Sequence, residues 1–180
     1  MKFYGDEGSS KKLFKGGFCA GNSLQVPGIR KNRGKIVDSK IIIYTFDSER
    51  NLMKTVNVVC NWKQDLQIEA KAGKHTLIVD QPPTDEGPSP MHYQLIALGG
   101  CLGTVASIIS RQERLGLRGF SIEFEAEFDP DFLFARTTEG RAGFTEIRAK
   151  VDIDVDMTEE EKMEYLEKID SRCPISDNLM

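Results

Sequence analysis

The stretch Gly87-Pro88-Ser89-Pro90-Met91-His92-Tyr93-Gln94-Leu95-Ile96-Ala97-Leu98-Gly99-Gly100-Cys101-Leu102-Gly103 decides the fold of this chain. Two prolines and a serine open it, and a dense apolar run follows. No residue from Gly87 to Ser110 carries a formal charge. The densely apolar part, Leu95 to Ile109, is only about 22 Å of helix at ~1.5 Å per residue. A bilayer span needs about 20 such residues, so the run predicts the buried central helix of a soluble protein, from about Met91 to Leu115. Gly99, Gly100 and Gly103 lie inside that helix, each costing about 1 kcal/mol against alanine. Something must approach the backbone there, most simply another helix.

The flanks show period-2 patterns. Val56, Val58, Cys60 and Trp62 alternate as one strand; Leu66, Ile68 and Ala70 as a second; His75 to Asp80 forms a third after the turn Ala72-Gly73-Lys74. The proline-rich segment Gln81 to Pro90 is a loop. After Gly116, the residues Phe120, Ile122, Phe124, Ala126 and Phe128 alternate with Ser121, Glu123, Glu125 and Glu127, a strand with one wet face. Ile147, Ala149, Val151, Ile153 and Val155 repeat the pattern. Thr158 and Glu161 form a capping box, and the helix behind them carries Met163, Leu166 and Ile169 on one face until Pro174 ends it. Strands, long helix, two strands, helix is an α+β order with antiparallel pairing.

Residues 1–52 differ in kind. They hold 10 basic and 5 acidic residues, against 14 and 23 in residues 53–180. This leader is rich in Gly, Ser and Lys, with one short strand expected at Ile41 to Tyr44. Its composition predicts partial disorder, and the self-sufficient domain is expected to span 53–180. The cluster Arg30-Lys31-Asn32-Arg33-Gly34-Lys35 reads as a solvated tail; the sharper alternative is an interaction module whose basic leader meets an acidic partner. The chain's net charge of −4 argues against a general nucleic-acid binder. The opening Met-Lys-Phe-Tyr-Gly-Asp-Glu lacks the apolar run of a signal peptide, so the expected compartment is the cytoplasm, with no membrane partner.

Four cysteines, Cys19, Cys60, Cys101 and Cys173, are too few and too scattered for a disulfide scaffold. Cys19 sits in the leader and Cys60 on a strand face. Cys101 reads as a small buried hydrophobe or as a thiol nucleophile, and the latter needs a nearby cation. Cys173 falls on the inward face of the last helix. Its bland role is packing. Two inward thiols can also run a cycle in which one becomes a sulfenic acid and the other condenses with it. Cys101, Cys173, His75 and His92 lack zinc-site spacing, so no metal is expected. His75 reads as a surface residue.

Gly87-Pro88-Ser89-Pro90-Met91, then Leu95 to Gly99-Gly100-Cys101, then Cys173-Pro174-Ile175 together resemble the OsmC/Ohr family of osmotically inducible and organic hydroperoxide resistance proteins, in its OsmC-like branch. The likeness covers roughly residues 54–180. It implies an intertwined homodimer with the long helices at its centre and the sheets outside, which would account for the three glycines. It also implies a thiol peroxidase of oxidative stress defence, peroxiredoxin-like in its chemistry. In it Cys101 is the peroxidatic thiolate that attacks an organic hydroperoxide, and Cys173 the resolving thiol. A dithiol reductant such as a lipoylated protein restores the pair, with no cofactor.

The sequence also departs from that family. The resemblance implies an arginine from the early strands and a glutamate just after the loop proline. Here Met91 and His92 follow Pro90, and the early strand reads Asn61-Trp62-Lys63-Gln64-Asp65. Lys63 offers a charge without a bidentate fork, and Glu86 a carboxylate in the loop. His92 lies about 13 Å along the helix from Cys101 and on its opposite side. These departures support an alternative: an OsmC-fold protein with little or no peroxidase activity that binds a small apolar ligand at the dimer interface.

Overall fold

The computed structural model describes residues 54–179 with their side chains, and strands within the first 53 residues as backbone. Those strands are β1 (Lys2–Asp6), β2 (Ser9–Lys15), β3 (Lys35–Asp38) and β4 (Ile41–Ile43). Cys19, the cluster Arg30-Lys31-Asn32-Arg33 and the order expected of the leader lie outside the described residues.

Three strands follow: β5 (Val58–Gln64), β6 (Gln67–Ala72) and β7 (His75–Val79), an antiparallel sheet in that order. Then come α1 (Pro90–Glu113), β8 (Gly119–Phe128), the single turn α2 (Pro130–Leu133), β9 (Phe144–Asp154), α3 (Glu159–Ser171) and α4 (Pro174–Leu179). The second main sheet runs β1-β2-β9-β8, and β3 pairs with β4. All pairings are antiparallel. The α+β class read from the sequence is the architecture observed.

The β8–β9 register explains the alternation. Phe120 faces Ile153, Ile122 faces Val151 and Phe124 faces Ala149 on the side turned to α1. Glu123 opposes Lys150 and Glu125 opposes Arg148 on the wet side. There Arg148 gathers Glu146 at 2.6 Å, Glu127 at 3.0 Å and Glu125 at 3.5 Å. Such exposed pairs add little stability, but they keep the face in water and so fix which side packs.

The core lies between this sheet, α1 and α3. Leu98, Leu102, Val105, Ala106 and Ile109 of α1 meet Ala149, Val151 and Ile153 of β9 and Tyr165, Leu166 and Ile169 of α3. By length and composition α1 is apolar enough to cross a bilayer; here Leu98, Ala106 and Ile109 are fully buried in protein.

Among the described residues, two of the three α1 glycines lie against β8. A Cβ on Gly99 would stand 3.1 Å from the Phe124 ring, and one on Gly103 would stand 3.7 Å from Phe120. Gly100 has nothing within 4 Å. The last long helix stops before Pro174, as its sequence implies, and Pro174 in addition opens α4, because its fixed φ suits a first helical position where no N–H is needed.

Candidate functional site

The two ends of α1 are set by local chemistry. Ser89 caps the N-terminus: its Oγ accepts from the His92 N–H, and His92 Nδ1 accepts from the Ser89 N–H at 3.3 Å, a capping box with an imidazole in the usual carboxylate position. At the other end Arg114 takes the left-handed conformation and closes the helix. Between them the helix carries Cys101, which is half-buried against the core.

Cys173 is brought to it from the far end of the chain. Leu166 and Ile169 seat α3 on α1, and two contacts along the rim set its position. Lys168 Nζ donates to both Glu113 oxygens at 3.0 and 2.8 Å, and Arg172 donates to Gln112 at 3.1 Å. The turn after α3 then places the Cys173 sulfur 2.7 Å from that of Cys101, with Cys173 donating. Both are free thiols. They differ in access, since Cys173 is only 2% exposed. Burial pushes the Cys173 thiol up to about 11, and the neighbouring Cys101 adds to this. The N–H groups of Ser176, at 3.3 Å, and Ile175 oppose it. Cys173 is therefore a protonated thiol at neutral pH, beside a more accessible partner.

None of the three residues considered as stand-ins touches this pair. Lys63 pairs with Glu69 at 3.6 Å on the β5–β6 sheet. Glu86 accepts from Gln67 Nε2 at 2.8 Å. His92 is held by Ser89 at the start of α1. Among the described residues, Cys173 is the hydrogen-bonding partner of Cys101. His75 is exposed, as is Cys60. Among the described residues no group of three or more His, Cys, Asp or Glu side chains is placed to hold a metal ion.

Sequence reasoning missed the knot that builds the loop before α1. Asp80 is fully buried, and its carboxylate accepts from Gln81 N at 2.8 Å, Glu86 N at 3.1 Å, Gln67 Nε2 at 3.3 Å and Thr84 Oγ1 at 3.4 Å. Burial alone would raise its pKa; these donors outweigh that and hold it below the usual carboxylate value. Gly87 passes so close to β7 that a Cβ there would overlap the Ile78 carbonyl oxygen, which also accepts from the Tyr93 hydroxyl at 2.8 Å. The signal available in advance was an aspartate directly before a turn-forming Gln-Pro-Pro-Thr run. The loop walls a cavity of about 720 Å³, with Glu86 and His92 at its rim and Leu95, Ile96, Ile122 and Phe124 beneath.

A protein-family model described as OsmC-like protein matches residues 83–180. Among solved structures, the chain is similar to an OsmC-like protein from Mycoplasma pneumoniae, with a TM-score of 0.62, 17% identity, and 71% of this chain covering 89% of that one. It is similar to an OsmC-like protein of unknown function from Vibrio cholerae, with a TM-score of 0.55, 10% identity, and coverage of 70% and 94%. It is also similar to an organic hydroperoxide resistance protein from Legionella pneumophila, with a TM-score of 0.51, 13% identity, and coverage of 71% and 90%. At these identities the structural likeness concerns the fold. No curated protein matches the chain.

Proposed function

The chain belongs to the OsmC-like protein family, and from that premise we propose that it is a thiol peroxidase that reduces organic hydroperoxides through Cys101 and Cys173, in defence against oxidative stress. One observation carries this reading: a half-buried thiol and a fully buried one with their sulfurs 2.7 Å apart. The Cys101 thiolate attacks the O–O bond, takes one oxygen as a sulfenic acid, and the alkoxide leaves as the alcohol after taking a proton. Cys173 then attacks the sulfenic sulfur, and the hydroxyl leaves as water. A dithiol reductant, such as a lipoylated protein, returns both thiols by exchange through a mixed disulfide. We place the cycle in the cytoplasm.

The working unit is a homodimer with the α1 helices at its centre. Val58, Val59 and Trp62 of β5 and Ile96 and Ile108 of α1 support it, because they leave large apolar area uncovered by the described chain.

The test is reduction of cumene hydroperoxide with dihydrolipoamide as electron donor. Turnover should vanish in Cys101→Ser and fall sharply in Cys173→Ser. Full turnover by Cys101→Ser would refute the proposal.

A second reading has its own support. No described arginine or lysine bonds to Cys101, while an apolar cavity of about 720 Å³ lies beside α1. In that reading peroxidase activity is weak and a small apolar ligand binds where two chains meet. Thiol titration separates the two. A Cys101 that reacts as an ordinary cysteine, with a pKa of about 8.5, favours the ligand-binding reading.

A further inference from the structure

Behind Cys173 lies a polar pair, the buried Ser176 and the half-buried Asp170, that the cycle described above does not use. Ser176 is fully buried. Its hydroxyl donates to Asp170 Oδ1 at 2.6 Å, while its own N–H points at the Cys173 sulfur at 3.3 Å. The Asp170 carbonyl in turn accepts from the Cys173 N–H at 3.1 Å, and the Cys173 carbonyl accepts from Asp177 N at 3.1 Å. Residues 170–177 thus form a closed ring of bonds, with the end of α3 on one side, the first turn of α4 on the other, and Cys173 between them.

Within that ring the Ser176–Asp170 bond has a particular place. It ends on a carboxylate, which makes it stronger than a neutral hydrogen bond. It also fixes the orientation of the peptide whose N–H faces the sulfur. When Cys173 attacks, negative charge gathers on a sulfur that burial keeps from water. The N–H groups of residues 175 and 176 are the donors that meet this charge.

We infer that Ser176 is a positioning residue for disulfide closure: its hydroxyl, anchored on Asp170, holds its own N–H on the Cys173 sulfur and holds that sulfur against Cys101. This role rests on the two-cysteine reading. In the step it serves, a bond forms between the Cys173 sulfur and the sulfenic sulfur of Cys101. The S–O bond breaks, and the Cys173 proton leaves with the hydroxyl as water. The oxidising equivalents come from the hydroperoxide, already reduced to its alcohol.

The test uses the full chain, reduced and then mixed with a stoichiometric amount of cumene hydroperoxide. Hydroperoxide consumption reports the first step, and loss of the second thiol reports closure. A parallel arm oxidises the same proteins with diamide, which joins two thiols without a sulfenic acid. Ser176→Ala should leave hydroperoxide consumption unchanged and slow closure about tenfold in both arms, as expected for loss of one bond to a charged group. The sulfenic acid should then be trapped more fully by dimedone. Ser176→Thr, which keeps the hydroxyl, should restore most of the rate. Asp170→Asn, which keeps the shape but removes the charge, should slow closure less than Ser176→Ala and serves if that variant does not fold. Closure by Ser176→Ala within about twofold of the parent, in either arm, overturns the inference. If the parent closes with diamide but consumes no hydroperoxide, the peroxidase reading fails, and slowed diamide closure in Ser176→Ala still upholds the positioning role.

Discussion

The hydroxyl of Tyr165 in α3 donates to the carbonyl of Ala106 in the C-terminal half of α1, joining residues 59 apart in sequence. Tyr165 is only 3% exposed, so its ring fills the core while its one polar atom finds a partner. The bond fixes the height of α3 on α1, and with it the level at which Cys173 meets Cys101.

Tyr165→Phe keeps the ring and loses the bond. It should cost about 1 kcal/mol, read from urea unfolding. The pH dependence has a definite sign. Burial, then the nearby Glu113 charge, raise the Tyr165 pKa above its ordinary 10. The folded state therefore binds this proton more tightly than the unfolded one. Its contribution is complete below pH 10 and is lost as pH rises through the raised value. Tyr165→Phe should remove that alkaline loss. An unchanged alkaline limb in the variant would mean that another group causes it.

Asp80 should act at the opposite end of the pH scale. Its carboxyl is held below 3.8 by the surrounding donors. The stability it adds is present above that ordinary value and disappears as pH falls through the lowered folded value. Asp80→Asn cannot accept all the same bonds, because its amide nitrogen is a donor facing donors. It should loosen the Gln81 to Gly87 loop at neutral pH and flatten the acid limb of melting temperature against pH. Amide exchange at Glu86, whose N–H Asp80 holds, is the direct measurement.

Much of this was legible in the sequence, and the reason is physical. β9 buries one face and β8 half-buries one, so alternation fixes both their existence and which side turns to the core. Thr158 and Glu161 cap α3 with bonds made only to near neighbours, which any reader of the chain can see. What could not be read depends on contacts far apart in sequence. Nothing local shows that Gln67 and Asp80 are buried against each other, or that Tyr165 reaches Ala106. Gly99 and Gly103 announced a close approach but not the identity of the neighbour, and among the described residues the rings of Phe124 and Phe120 supply it. The inward faces of Cys101 and Cys173 were legible; their separation was not, since it depends on how α3 seats on α1.

Those glycines give the last prediction and a test of the dimer. Gly99→Ala should destabilise, because its new methyl meets the Phe124 ring at 3.1 Å, tighter than ordinary contact. Gly87→Ala should be worse, since the atom it meets is a backbone carbonyl that cannot turn aside. Gly100→Ala meets nothing in the described chain, so in an isolated chain it should stabilise α1 by up to about 1 kcal/mol. In a dimer built on central α1 helices, Gly100 borders the second copy, and the same methyl should weaken association instead. Urea unfolding at several protein concentrations separates the two outcomes. For the homodimer proposed above, Gly100→Ala should lower the midpoint most at low concentration, where dissociation competes with folding. A gain in stability independent of concentration would remove Gly100 from any interface.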